Sequence, residues 1–273
     1  MMSGRLVETQ PNLWYTEKKN GGVGMREQLH TIPVNEAFLS GDECPFCYLR
    51  RQSEQRHLRY VAGPSASYME PEVREVTDKT GFCPSHLKKL YDYGNALGSA
   101  LMLQTYYARI LEQLRGEIEV FERPEPKKLF SKLKESTEGL WKTMQEEVAG
   151  CYICNQLEES MDRYYRTFFA LLKEPEFRSR VENCKGFCLE HFGQLLRVAE
   201  TKLPNAQRQW FYDTLFPLQE ANLVRVKEDL DWLIAKYDYR NAGADWRNSR
   251  DALQRTMQKL GGGYVADKPF KED

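Results

Sequence analysis

A doubled pattern of cysteine and histidine constrains this chain more than any other feature. Cys44-Pro45-Phe46-Cys47 precedes Gly81-Phe82-Cys83-Pro84-Ser85-His86, with 35 residues between the second and third cysteines. Cys151-Tyr152-Ile153-Cys154 precedes Gly186-Phe187-Cys188-Leu189-Glu190-His191, and there the gap is 33 residues. Each copy supplies three thiols and one imidazole, the closed tetrahedral donor set that structural zinc prefers. Read in chain order, Cys44, Cys47, Cys83 and His86 form one set, and Cys151, Cys154, Cys188 and His191 form the other. Two zinc ions per chain follow. In C-x2-H the two donors share one side of the first turn of a helix, whose positive end favours the thiolate. In C-x2-C the sulfurs converge if the backbone turns tightly, as a knuckle. Each set then pins the far end of a helical hairpin.

The two halves repeat beyond the cysteines. Glu70-Pro71-Glu72-Val73-Arg74 returns as Glu174-Pro175-Glu176-Phe177-Arg178, offset by 104 residues, against 107 for C-x2-C and 105 for G-F-C. An internal duplication with small insertions explains the drift. Helical periodicity runs through both copies. Leu157, Met161, Tyr165, Phe168 and Leu172 recur at four, four, three and four residues, one apolar helix face. The spacing predicts helices over 33–40, 48–62, 84–121 (with Gly94 and Gly98 inside it), 136–148 and from Cys188 to about Leu203. Two more segments follow over 206–238, broken or bent at Pro217, and a last helix over 251–260 is capped by Asn248 or Ser249. Alternating strand patterns are absent, so the fold class is all-α: duplicated helical halves, each stapled by its own Cys3His knuckle and packed into one unit. Residues 1–24 read as a flexible N-terminal extension. The first metal-binding half spans 25–123, and the second spans 124–273 with the C-terminal helices. The denser aromatic stripes around the second set predict that its half tolerates metal loss better, so Cys83→Ser should cost more than Cys188→Ser.

Composition narrows the function classes. Thirty-nine Lys and Arg balance 40 Asp and Glu, a net charge of -1, which disfavours a general nucleic-acid binder. Local basic stretches, Arg50-Arg51 with Arg56 and Arg59, and Lys127-Lys128 with Lys132 and Lys134, keep that class open. No apolar run is long enough to span a membrane, and no secretory leader is visible. Seven cysteines in such a chain read as reduced, metal-bound and cytoplasmic rather than as disulfides. Cys184 is left over and reads as a buried core thiol. Standing four residues before Cys188, it offers an alternative to His191, which would favour an iron–sulfur cluster at that set. His30 and His57 read as solvated or packed side chains. Four protein donors close a zinc site to substrate, and no H-E-x-x-H, G-x-S-x-G or phosphate-cradling glycine loop is present.

The order Thr31-Ile32-Pro33-Val34, Cys44-Pro45-Phe46-Cys47, Glu70-Pro71-Glu72-Val73-Arg74 and Gly81-Phe82-Cys83-Pro84-Ser85-His86 resembles a bacterial domain family of unknown function. The second half resembles it through Cys151-Tyr152-Ile153-Cys154, Thr167-Phe168-Phe169, Gly186-Phe187-Cys188-Leu189-Glu190-His191 and Asn248-Ser249-Arg250-Asp251-Ala252-Leu253. The likeness covers roughly 25–262 and implies that both C-x2-C…C-x2-H sets belong to the family's pattern. It implies no activity. The sequence therefore points to a non-enzymatic, zinc-stabilised helical binding or adaptor protein with a protein partner. The alternative is a redox- or metal-responsive regulator that uses the thiolates, with Cys184 as a resolving thiol.

Overall fold

In the computed structural model, which describes residues 31–65, 67–121 and 138–268, the regular elements are all helical. The extension at 1–24, His30, the boundary near 123–126 and the basic stretch 127–134 lie outside the described residues. The fold is organised on two antiparallel helices, α2 (Pro45–Ala62) and α7 (Tyr152–Leu171). Each follows a C-x2-C cysteine. Their direction is fixed by side chains that meet in reverse order: Phe46 stacks on Tyr165 with ring centroids 4.6 Å apart, and His57 Nε2 lies 3.1 Å from Ser160 Oγ. His57 is thus a packed side chain, as expected.

At the Phe46 end of this pair sits the larger core. There α1 (Thr31–Leu39), α8 (Pro175–Glu182), α9 (Leu189–Lys202) and the first part of α10 (Asn205–Ala235) close over α7. Phe38, Phe168, Phe177 and Phe211 meet there edge to face or stacked, Phe38 on Phe177 at 5.1 Å and Phe168 on Phe211 at 6.5 Å. Burying each such side chain contributes about 1.5–3 kcal/mol. At the other end, α3 (Pro71–Thr80), α4 (Pro84–Tyr93) and α5 (Ala96–Glu119) enclose a smaller core of Leu58, Val61, Phe82, Leu90, Met102 and Ile153. α6 (Glu138–Ala149) is tied to α5 by a bidentate pair, Arg109 to Glu147 at 2.9 and 2.6 Å. α11 (Ala252–Gly261) packs on α9 and α10.

Three sequence expectations are corrected. The helix over 84–121 is two helices, because Gly94 takes the left-handed conformation (φ 92°) and ends α4. Asn95 then caps α5, its side-chain oxygen accepting from the Gly98 N–H at 2.9 Å. α10, in contrast, runs unbroken through Pro217. Pro217 is exposed while Phe211, Leu215 and Gln219 keep the opposite face buried, so the carbonyl it leaves unpaired faces water. α11 has Asp251 rather than Asn248 or Ser249 at its cap position, with no side-chain cap bond.

Candidate metal centres

All four short motifs begin a helix. Cys44 is the extended residue before α2 (φ -148°, ψ 108°), with Pro45 following as the first helical residue. Cys151 stands in the same place before α7 (φ -161°, ψ 117°), and its sulfur accepts from the Cys154 N–H at 3.5 Å. Cys83 and Cys188 precede α4 and α9 in the same way, and Cys188 Sγ accepts from the His191 N–H at 3.4 Å. The donor three residues on then shares a side of the first turn with its cap. Sequence reasoning gave this device to C-x2-H alone. The C-x2-C motifs use it too, since an extended cap residue turns the chain as sharply as a knuckle. Each set is therefore built from two helix N-termini, whose orphan N–H groups and positive ends favour thiolates.

The pairing, however, is exchanged between halves. One set joins Cys44 and Cys47 to Cys188 and His191, and the other joins Cys83 and His86 to Cys151 and Cys154. The expectation that each half closes its own set is overturned, and helix length explains why. α2 has 18 residues and α7 has 20, so each carries the chain roughly 27–30 Å from its C-x2-C at 1.5 Å per residue. The returning helices, α3 with 10 residues and α8 with 8, cover only about 15 and 12 Å. G-F-C therefore arrives at the far end of its own long helix. There the antiparallel partner begins, carrying the other half's C-x2-C. The Tyr152 N–H donates to the Gly81 carbonyl at 2.9 Å, and a Cβ on Gly150 would stand 2.3 Å from the Thr80 oxygen. Only glycine lets these two backbones approach so closely.

Donor geometry fits a tetrahedral cation. In the first set His191 Nδ1 lies 3.4 Å from Cys44 Sγ, 3.4 Å from Cys47 Sγ and 3.1 Å from Cys188 Sγ, with Cys47 and Cys188 sulfurs 3.6 Å apart. In the second, His86 Nδ1 lies 3.2 Å from Cys83, 3.2 Å from Cys151 and 3.4 Å from Cys154, and Cys83 and Cys154 sulfurs are 3.8 Å apart. Zinc bond lengths place tetrahedral edges at about 3.5 Å for N to S and about 3.8 Å for S to S. Protonation points the same way. In the first set burial and its sulfur neighbours push the Cys44 thiol far up, and the hydrogen bond to Cys188 drives Cys47 to about 12. Hydrogen bonds from both hold Cys188 well below the usual thiol range. Three sulfurs this close cannot all ionise unaided, and a divalent cation removes the conflict.

The surroundings of the two sets differ. Cys44, Cys47 and Cys188 are each 0% exposed and His191 is 2% exposed, whereas Cys83 and Cys154 are half-buried. In this half-exposed set His86 Nε2 meets Glu54 Oε1 at 3.0 Å, and Glu54 in turn pairs with Lys89 at 2.5 Å. That carboxylate fixes the ring with Nδ1 facing the sulfurs. Beside the buried set, Gln219 clamps the backbone of the G-F-C turn, accepting from the Phe187 N–H and donating to the Phe187 carbonyl, both at 2.9 Å. Sequence reasoning missed Glu54 and Gln219, together with Glu43 and Lys259 beside the buried set. Only Gln219 had a signal, a polar residue continuing the apolar face of Phe211 and Leu215; Glu43 stands before α2, outside any helix. Cys184 lies outside both sets, and burial raises its thiol to about 11. It packs as the core thiol expected, while His191 occupies the position for which Cys184 was the alternative.

Between the sets, α7 floors a cleft of about 580 Å3 with Leu157, Met161 and Tyr165, and Arg50, Glu158 and Glu190 stand at its rim. One donor of each set, Cys154 and His191, lines it. Among the described residues no helix is long and apolar enough to cross a membrane.

A model described as "Family of unknown function (DUF6062)" matches residues 25–267. The chain belongs to that family, as its motifs implied. A relative from Caldicellulosiruptor sp. (strain Rt8B.4), "Uncharacterized 23.9 kDa protein in xynA 3'region", is 24% identical over 203 residues, covering 73% of this chain and 85% of the relative. No solved structure matches.

Proposed function

We propose that this member of the DUF6062 family is a cytoplasmic, zinc-stapled helical protein that binds a protein partner and holds its two halves together through exchanged Cys3His centres. One observation carries the reading: two closed donor sets, each taking two residues from either half, at tetrahedral spacing. A closed set leaves no position for a substrate, so the metal acts structurally. The residues that would hold zinc are Cys44, Cys47, Cys188 and His191 in one centre and Cys83, His86, Cys151 and Cys154 in the other. Zinc is favoured over an iron–sulfur cluster because each set contains an imidazole and the spare thiol, Cys184, joins neither. The apolar floor and charged rim of the cleft along α7 support a binding role. Elemental analysis of the purified protein should find two zinc atoms per chain. A brown protein carrying iron and sulfide in matching amounts would overturn the zinc reading.

Half-burial of Cys83 and Cys154, at 3.8 Å, supports a second reading as an oxidant-responsive protein. Hydrogen peroxide would take two electrons from the two thiolates, joining them as a disulfide, becoming two waters with two protons, and releasing the metal. Burial of Cys184 argues against its expected part as resolving thiol. Peroxide treatment with a zinc-release dye should then depend on Cys83 and be indifferent to Cys184→Ser. Equal, slow release from wild type and Cys83→Ser would dispose of this reading.

A further inference from the structure

The C-terminal helix returns to the buried set, although nothing in the Cys/His pattern calls it there. Gln258 Nε2 donates to Asp42 Oδ1 at 2.7 Å. One residue on, Lys259 is 1% exposed and sends its ammonium between the two segments that lead into the set. It donates to the Glu43 carbonyl at 2.6 Å and to the Lys185 carbonyl, and it pairs with the Glu43 carboxylate at 3.3 Å. Glu43 immediately precedes Cys44, and Lys185 stands three residues before Cys188. The lysine thus bridges the first-half and second-half contributions to one donor set. Arg225 pairs with the same Glu43 carboxylate oxygen at 2.5 Å.

Beyond α11 the backbone itself covers the sulfurs. Gly262 has φ +73°, and a Cβ there would stand 3.2 Å from Glu190 Oε2, 3.7 Å from Cys188 Sγ and 3.9 Å from Cys47 Sγ. Gly263 follows, also at positive φ (+64°). Asp267 then pairs with Arg51 at 2.7 Å, and Arg51 with Asp42 at 2.5 Å, which fastens the tail to the start of α2.

Charge gives this arrangement its sense. A dication with three thiolates and a neutral imidazole carries one net negative charge. The buried Glu43 carboxylate beside it adds another. Burying an ammonium costs several kcal/mol unless anions and carbonyls surround it, and Lys259 is surrounded by both. Among the described residues no buried ammonium stands over the half-exposed set, whose two segments meet directly through the Tyr152–Gly81 backbone bond.

We propose that Lys259 and the Gly262-Gly263 backbone form the outer shell of the buried metal centre, positioning its two halves and sealing its sulfurs from water and competing chelators. The inference rests on the zinc reading above and assigns the Gly261-Gly262-Gly263 run a part beyond ending a helix. Lys259 is a positioning residue, because it touches the segments that carry the donors and not the donors themselves.

The test uses the full-length, zinc-loaded protein treated with EDTA and iodoacetamide, with alkylation of each cysteine followed by peptide mass mapping. Wild type should label Cys83, Cys151 and Cys154 well before Cys44, Cys47 and Cys188. Lys259→Met should speed labelling of the latter three by about 10–100-fold, the usual range for losing an outer partner of a metal ligand, and leave the former three unchanged. Gly262→Val, which puts a side chain on the positive-φ residue over the sulfurs, should act in the same direction. The half-exposed set serves as the internal control for folding. Unchanged labelling of Cys44, Cys47 and Cys188 in both variants would overturn the proposal. So would equal acceleration of all six cysteines, which marks a general loosening. Wild-type protein without zinc, labelled at once on all six, would instead sink the zinc reading itself.

Discussion

The two Cys3His sets are near copies in sequence and differ in what covers them. Both are built from an extended cysteine before each of two helices, with imidazole Nδ1 facing three sulfurs. The buried set lies against the larger core, where Phe46 and His191 rings are 5.9 Å apart, and beneath the return of the C-terminal tail. The half-exposed set lies against the smaller core, with Glu54 and Lys89 at its back and Cys83 and Cys154 reachable from solvent. On the zinc reading, the donors would set which metal is held, and the packing outside them would set how fast it leaves. Duplication copied the first property and not the second.

The strongest way to break the comparison is to remove both metals. Structural zinc contributes about 10–16 kcal/mol in small peptides at neutral pH, against a typical total stability of about 5–15 kcal/mol. Melting followed by circular dichroism should lose its single cooperative transition after complete chelation. An unchanged transition would mean that the helices hold the halves together alone.

Single-cysteine variants then sharpen the difference. Aromatic density along the second half made Cys83→Ser the costlier substitution, but the exchange undoes that premise, because Cys188 completes a set with Cys44 and Cys47. Either substitution now cuts one link between halves, and exposure ranks them. Water can enter beside Cys83 and fill the lost position, whereas the surroundings of Cys188 are dry. Cys188→Ser should lower the melting temperature and the zinc content more than Cys83→Ser. Equal losses would show that burial does not govern the ranking.

Smaller effects are expected one layer out. Glu43→Gln leaves the buried Lys259 without its anion, and breaking a buried pair costs about 3–5 kcal/mol. Denaturant titration should show this with the metal still bound. Glu54→Gln should weaken zinc at the half-exposed set by about tenfold, read by competition with a chromogenic chelator, with no effect on the buried set. Least of all should come from Arg50→Ala: its pair with Glu190 is 3.2 Å long between side chains that are 48% and 47% exposed, and such pairs contribute about 0–1 kcal/mol.

Much of this was legible in the chain. The eight residues that the fold gathers into two candidate sets followed from residue type and spacing, and the helices from periodicity and from proline after the cap. The pairing is not legible from the motif spacing, because closeness along the sequence is not closeness in space. Comparing the 18 and 20 residues of the outgoing helices with the 10 and 8 of the returning ones exposes the mismatch that forbids closure within a half. The break at Gly94-Asn95 was hidden because leucines keep their periodicity across it. The continuity of α10 was hidden because a proline on the water-facing side costs less than its rule implies. Lys259 carried no signal, since a lysine near a helix C-terminus reads as a solvated charge.

The central claim is the exchange of donors between halves, and cadmium reports it directly. The full chain loaded with cadmium-113 gives one resonance per centre, each coupled through the metal–sulfur bond to the β-protons of its own cysteines. The account predicts one cadmium coupled to Cys44, Cys47 and Cys188 and the other to Cys83, Cys151 and Cys154. A cadmium coupled to Cys44, Cys47 and Cys83 together would contradict it.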